Sequence, residues 1–271
     1  MKISFSTLGC PKMGLKEIFA VAGDLGYSGV EIRGVGSVLE APDLPQFGAD
    51  RCGETINELE KRALTIPLLT SACVMHSRRR REASMSLACR YIDTASALGA
   101  GYIRVLGDST PEPKGEVDDA FVAANLAELA EYAAPKKVGV LIETNGVYAS
   151  SARLAALIEM AGVKNIGALW DIHHTCRFFG EQPEETLKNI GGYIRHVHIK
   201  DSVAEGEGYA YRMTGHGDIP LEGAIAGLIA ADYDGFYSLE WVKRWNTELE
   251  EPGIAFAQYV RFMKRMSRKY E

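Results

Sequence analysis

Four residues with metal-ligating side chains, Glu143, Asp171, His198 and Glu240, each close a short apolar run in the second half of the chain. The runs are Val-Gly-Val-Leu-Ile-Glu143, Ile-Gly-Ala-Leu-Trp-Asp171, Arg-His-Val-His198 and Phe-Tyr-Ser-Leu-Glu240. Runs of this length, bounded by glycines and polar loops and followed by helical patterns, read as buried parallel strands. Successive strands that each deliver a ligand at the carboxyl end bring those ligands together only when they stand in a ring. The fold is thereby narrowed to the α/β class, a single (β/α)8 TIM barrel, with one divalent metal at its mouth.

The rest of the chain agrees with that ring. Strand-like runs fall at 3–6, 29–32, 66–73, 102–106, 139–143, 167–171, 196–200 and 236–240. Amphipathic patterns at 15–25, 52–64, 84–98, 120–133, 152–160, 184–190, 221–230 and 254–266 alternate with them. No linker interrupts residues 1–271, so one barrel domain is expected throughout. A doubly wound open sheet would place its ligand at a switch point between two strands, not at the ends of strands five to eight. Two loops exceed what turn chemistry requires: 33–50 after strand two and 201–218 after strand seven. Both fall on the carboxyl face, where barrels build pockets. Within the second, Asp218 is expected to cap the helix at 221–230, with Pro220 in its first turn.

Bulk properties exclude several functions. A chain of 271 residues with 46% hydrophobic content suits a large globular core. A net charge of −6 argues against a nucleic-acid partner, which needs many cations to displace counterions. The five cysteines are scattered, without a C-x-x-C pair, as expected for free thiols in a reducing compartment. The N-terminus reads as a first strand and not as a leader. No apolar run approaches the roughly 20 residues that span a bilayer. A soluble, cytoplasmic protein with a small-molecule partner is expected, with homo-oligomerisation left open.

Three carboxylates and one imidazole make a hard, oxygen-rich donor set, suited to Mn²⁺ foremost and also to Mg²⁺, Co²⁺ or Zn²⁺. A structural zinc site would be closed and rich in cysteine. Any one strand-end acid is as well explained as a helix cap, but four in phase are not. Five of the six histidines, His173, His174, His196, His198 and His216, lie on the carboxyl side of strands six and seven. Strand alternation puts His196 and His198 on one face, pointing inward. Of the neighbours His173 and His174, one is expected to reach the site.

The segments Leu-Ile-Glu143-Thr-Asn, Trp-Asp171-Ile-His-His174, His196-Val-His198-Ile-Lys-Asp201, Gly215-His-Gly-Asp218-Ile-Pro and Ser-Leu-Glu240-Trp resemble the xylose isomerase-like sugar isomerase/epimerase family, which includes tagatose epimerases, hydroxypyruvate isomerases and inosose dehydratases. Gly29-Val-Glu31-Ile-Arg33 is similar to that family's second strand. The resemblance covers nearly the whole chain. It implies that Glu143, Asp171, His198 and Glu240 are metal ligands, that Glu143 and Glu240 are paired acid/base groups, and that His174 contacts substrate oxygens. Arg212, His196 and Glu31 are the further substrate-binding candidates under the same resemblance.

The chemistry of the residues is consistent with that. Moving a proton between carbons beside a sugar carbonyl needs a Lewis acid to stabilise the enediolate, one carboxylate to take the proton and one to return it. The expectation is a metal-dependent isomerase or epimerase of a small keto-sugar, free or phosphorylated, in carbohydrate metabolism. A dehydratase using the same glutamates is the alternative. An apurinic endonuclease would need further histidines at the ends of strands two to four, but strand three ends Thr70-Ser-Ala-Cys73 and strand four Val105-Leu-Gly-Asp108. A sugar-binding barrel without activity would be favoured by loss of a ligand, and none is lost. Arg78 to Arg81 read as a solvated run, with phosphate recognition as the alternative. Phe178 and Phe179 are placed to cover a sugar face, whereas Trp241 and Trp245 read as packing or a dimer contact.

Overall fold

In strand β1 (Lys2–Ser6) the alternation of side chains sets the plan of the molecule. Phe5 turns outward and stacks on Phe256 with ring centroids 4.1 Å apart, while Ser4 and Ser6 turn inward and are fully buried. The computed structural model describes residues 1–270. After β1 come β2 (Gly29–Glu31), β3 (Leu68–Val74), β4 (Tyr102–Leu106), β5 (Gly139–Glu143), β6 (Ile166–Asp171) and β7 (Ile194–Ile199). A hairpin of β8 (Asp201–Glu205) and β9 (Gly208–Arg212) precedes the last strand, β10 (Phe236–Leu239).

The barrel strands pair in parallel in the order β2-β1-β10-β7-β6-β5-β4-β3. The ring closes between β2 and β3, where Ile32 N donates to Leu68 O at 3.2 Å and Thr70 N donates to Ile32 O at 3.0 Å. The chain is a TIM barrel. Around it lie α1 (Leu15–Leu25), α2 (Cys52–Glu60), α3 (Arg81–Leu98), α4 (Asp119–Ala133), α5 (Ser151–Ala161), α6 (Ile172–Phe179), α7 (Pro183–Ile190), α8 (Leu221–Ala230) and α9 (Pro252–Tyr270). Their apolar faces and the outward strand residues form the main core, into which Trp170, Trp241, Tyr91 and Tyr148 are packed.

Inside the ring the layers differ sharply. The lower one is a small apolar plug of Leu68, Leu141 and Leu169, with Tyr102 against it. The upper ones carry Glu31, Thr70, Arg104, His196, His198 and Ser238, all buried. Filling a barrel interior with charge costs solvation, and the cost is offset only if each group finds a partner. The interior is therefore built around chemistry at its upper end.

Two elements depart from the sequence expectation. Residues 172–179 form α6, a helix of only 8 residues whose His-His-Thr-Cys-Arg text lacks an apolar stripe long enough to stand out. The loop 201–218 contains the antiparallel β8–β9 hairpin, in which Asp201 faces Arg212 and Glu205 faces Gly208. The expected cap at Asp218 is corrected: Pro220 occupies the N-cap of α8, with no side-chain cap bond. Asp218 is drawn to the hairpin instead, where it pairs with Arg177 and accepts from Ala204 N at 3.1 Å.

Asp201 organises this loop. Its carboxylate accepts from the backbone N–H of Ser202 (2.9 Å), Gly215 (2.8 Å) and Gly217 (2.9 Å). A Cβ on Gly217 would run into Asp201 Oδ1 and the Ser202 carbonyl. Both are held by bonds that cannot simply swing away. Gly217→Ala is therefore expected to lose ~1–3 kcal/mol, the range for overpacking a tight site. Urea unfolding measures this, and a wild-type midpoint in the variant would show the loop to be looser than described.

Candidate metal centre and active site

Each of the four expected ligands sits where a strand gives way to the carboxyl face. Glu143 is the last residue of β5 and Asp171 the last of β6. His198 is the penultimate residue of β7, and Glu240 follows β10 directly, held by its N–H on the Ile199 carbonyl at 3.1 Å. One ligand atom from each lies within 4.8 Å of all the others. Asp171 does two jobs at once. Its Oδ1 caps α6 by accepting from His174 N at 3.1 Å, which leaves Oδ2 to face the centre.

His198 is the clearest sign of what this cluster can hold. Glu31 Oε2 accepts from His198 Nε2 at 3.0 Å, from His196 Nε2 at 3.0 Å and from Ser238 Oγ at 2.8 Å. A carboxylate only accepts, so both rings carry a proton on Nε2. The Nδ1 of His198 is then aimed at Glu143 Oε1 (3.8 Å), Asp171 Oδ2 (3.8 Å) and Glu240 Oε1 (3.5 Å), with no hydrogen-bond partner of its own. A fully buried ring nitrogen fronting three carboxylates, with its other nitrogen oriented by a fourth, is the arrangement of a histidine ligand and its supporting acid. The residues fit a divalent ion with hard donors.

The electrostatics of the cluster follow from the same crowding. Burial alone would lower the His198 ring, but Glu31 and Glu240 outweigh it and raise it well above the ordinary histidine value. Burial would raise the Glu143 carboxyl, yet Arg104 and His198 bring it down to about 2. Asp171, likewise opposed by burial, is held well below the usual range by His174 and Lys200. The three carboxylates of the centre are countered by two permanent cations. Arg104 Nε lies 3.1 Å from Glu143 Oε2, and Lys200 Nζ lies 2.8 Å from Asp171 Oδ2 and 2.6 Å from Glu240 Oε2.

His174 completes the wall of the site. Its Nδ1 meets the Thr144 carbonyl at 3.0 Å and must donate there, so Nε2 carries the lone pair and accepts from Lys200 Nζ at 3.2 Å. Burial lowers its affinity for a second proton, against the pull of Asp171. Of the adjacent pair, His174 thus reaches the centre. His173 turns away to Ser202 Oγ at 3.0 Å, and burial, with Lys200 beside it, takes its ring down to about 2.

A cavity of about 500 Å³ opens over this centre, lined by Glu143, His174, Lys200 and Glu240 and further out by Tyr211 and Trp245. A cavity of about 550 Å³ lies at the other end of the barrel, among Gly99, Gly101 and Gly235. That end carries none of the four ligands, and in barrels of this kind it serves stability.

Other expected site residues are placed differently. His196 and Glu31 lie one layer below His198, buried and absent from the upper cavity, where they support the ligand ring. His196 and His198 are two positions apart on the strand, about 6.6 Å along it at the usual rise. Arg212 ends β9 exposed to solvent, its Nη1 on the Tyr211 carbonyl at 2.9 Å, and does not line the cavity. Arg78 pairs with Asp118 at 2.7 Å and Arg81 bonds Asn125 Oδ1 at 2.8 Å, away from the cavity. Phe178 packs on His174 with centroids 5.7 Å apart, whereas Phe179 is exposed. Trp241 is buried, as expected of a packing residue, but Trp245 stands at the cavity rim, 59% exposed.

Lys200 and Arg104 were not singled out by the sequence reading, though both left a signal. Lys200 continues the inward face of His196 and His198 at a spacing of two. Arg104 stands in the middle of the apolar strand Tyr-Ile-Arg-Val-Leu, where a buried guanidinium needs a reason.

The family described as Xylose isomerase-like TIM barrel matches residues 19–266. A fructoselysine 3-epimerase from Shigella flexneri is 25% identical over 260 residues, which is 92% of each chain. Among solved structures, a probable 3-DHS dehydratase from Bacillus anthracis superposes with a TM-score of 0.81 at 16% identity, covering 97% of this chain and 99% of its own. The IOLI protein with a bound zinc atom gives a TM-score of 0.81 at 18% identity, over 100% and 99% of the two chains.

Proposed function

The chain belongs to the xylose isomerase-like TIM barrel family, and we propose that it is a divalent-metal-dependent epimerase or isomerase of a ketose or ketose-derived conjugate. The observation that carries this reading is the pair Glu143 and Glu240. They border one cavity from strands β5 and β10, which stand three places apart around the ring, with the unpartnered His198 Nδ1 between them. The 25% identical relative is a fructoselysine 3-epimerase, which supports both the reaction type and the substrate class.

Glu143, Asp171, His198 and Glu240 would hold the ion, with Mn²⁺ the best match to three carboxylates and one imidazole. When bound, such an ion supplies Lewis-acid stabilisation of negative charge on substrate oxygens. The protein's own groups do the rest. One glutamate removes the proton from the carbon beside the carbonyl, and the other returns a proton on the opposite face. Lys200 Nζ donates to the substrate oxygen on which charge develops, and His174 Nε2 accepts from a neighbouring hydroxyl.

Two measurements test the proposal. Metal content after loading with Mn²⁺ is expected to be about one ion per chain, and His198→Ala should abolish it. Glu31→Gln, which touches no substrate, should weaken metal binding by about 10–100-fold, the usual effect of removing a supporting acid. Unchanged metal affinity in that variant would remove Glu31 from the centre. A ketose incubated with the loaded enzyme in deuterated water should gain deuterium at the carbon that is inverted.

The dehydratase reading keeps one specific observation in its favour. Lys200 Nζ sits 2.6 Å from Glu240 and 3.2 Å from His174, a place from which its ammonium would donate a hydrogen bond to a departing hydroxyl. Product mass separates the two, because an epimerase conserves it and a dehydratase loses water.

A further inference from the structure

Three permanent cations line the upper cavity among the described residues: Arg33, Arg104 and Lys200. Two are committed. Arg104 pairs with Glu143 and donates through Nη1 to the Ser71 carbonyl at 2.7 Å, and Lys200 bridges Asp171 and Glu240. Arg33 is not. It is only 9% exposed, yet it ion-pairs with no carboxylate. Its Nη1 donates to the Leu39 carbonyl at 3.0 Å and its backbone N–H to Thr7 Oγ1 at 2.8 Å. Glu31, two residues back, is taken up by His196, His198 and Ser238, and Glu40, whose charge reaches Arg33 only through space, accepts from the Tyr91 hydroxyl at 2.7 Å.

We propose that Arg33 binds an anionic group of the substrate, a carboxylate or a phosphate, at the edge of the upper cavity. This rests on the ketose reading above and names the class of ketose. A buried guanidinium with no carboxylate in contact is only partly compensated, and an anion bound beside it would complete the compensation. Here the loop 33–50 holds it in place through the Leu39 carbonyl, leaving the rest of its planar fork for a ligand. Guanidinium geometry matches the paired oxygens of carboxylate and phosphate alike.

Calorimetric titration of the Mn²⁺-loaded protein with D-fructose, D-fructose 6-phosphate and 5-keto-D-gluconate tests this. At least one anionic probe should bind wild type at least about tenfold more tightly than fructose, the low end for a charged hydrogen-bonded contact. Arg33→Gln should abolish that preference with fructose affinity unchanged, and Arg33→Lys should keep part of it. The choice between phosphate and carboxylate follows from which anionic probe gains. Equal binding of all three probes to wild type would overturn the inference. So would an equal loss for neutral and anionic probes in Arg33→Gln, which would make Arg33 a loop clamp alone. Charge preference without deuterium uptake from solvent into any probe would instead sink the epimerase reading and leave the Arg33 subsite standing. Binding of no probe would overturn both.

Discussion

Glu143→Gln and Glu240→Gln are each expected to lower solvent-deuterium incorporation into a ketose by about 10²–10⁴-fold, the range for loss of a positioned acid or base. The amide keeps the size and the hydrogen-bonding oxygen but cannot take a proton. Far-ultraviolet circular dichroism should be unchanged in both, because neither glutamate belongs to the main core. The two variants need not fail identically. If each glutamate serves one face of the carbon, a substrate deuterated at the reacting carbon should retain its label in the variant that lacks the abstracting base. Near-normal turnover in either variant would end the two-base scheme. Glu143→Gln also frees Arg104, whose Nε lies 3.1 Å from it, so the thermal midpoint should be measured beside activity.

Lys200→Met carries the second large effect, and it is expected to depend on metal. In the metal-free protein, Lys200 is the cation that bridges Asp171 and Glu240, and all three side chains are nearly or fully buried. Removing one partner of a buried ion pair typically costs ~3–5 kcal/mol, because the other charge is left uncompensated. The metal-free variant should therefore unfold at markedly lower urea than metal-free wild type. A divalent ion at the same carboxylates supplies the missing charge, so Mn²⁺ should stabilise Lys200→Met more than it stabilises wild type. Equal metal-induced stabilisation of both proteins would show that Lys200 and the ion do not share these carboxylates. Activity should fall even with metal bound, since the donor to the substrate oxygen is gone.

The barrel was legible from the alternation of strand-like and helical runs, and the strand positions agree to within about two residues. That legibility has a physical basis. Parallel strands covered on both faces must be apolar nearly throughout, so they stand out from the amphipathic helices between them. Elements that build the site are less regular. The short helix α6 is started by Asp171, a residue whose text is equally that of a ligand, and it carries histidines where a stripe of leucines would have marked it. The β8–β9 hairpin is largely solvent-exposed at its tip, so its alternation carries little hydrophobic contrast.

The candidate site divides in the same way. Convergence of Glu143, Asp171, His198 and Glu240 followed from strand ends in a ring, because that depends only on which residue closes each strand. Depth, partner choice and exposure did not. Nothing in the spacing of His196 and His198 tells which reaches the mouth, since both face inward; the register of β7 against β10, with His198 opposite Ser238, puts one at the centre and the other on Glu31 below it. Arg212 and Lys200 are both cations after strand seven, and the fold sends Arg212, at the end of the hairpin, to solvent and Lys200, just before it, between two carboxylates. Periodicity is a property of one segment, and the sequence alone determined the barrel and the ligands at its rim. Pairing of buried charges depends on several segments at once, and the tertiary structure decided which acid each cation meets and which cation, Arg33, was left without one.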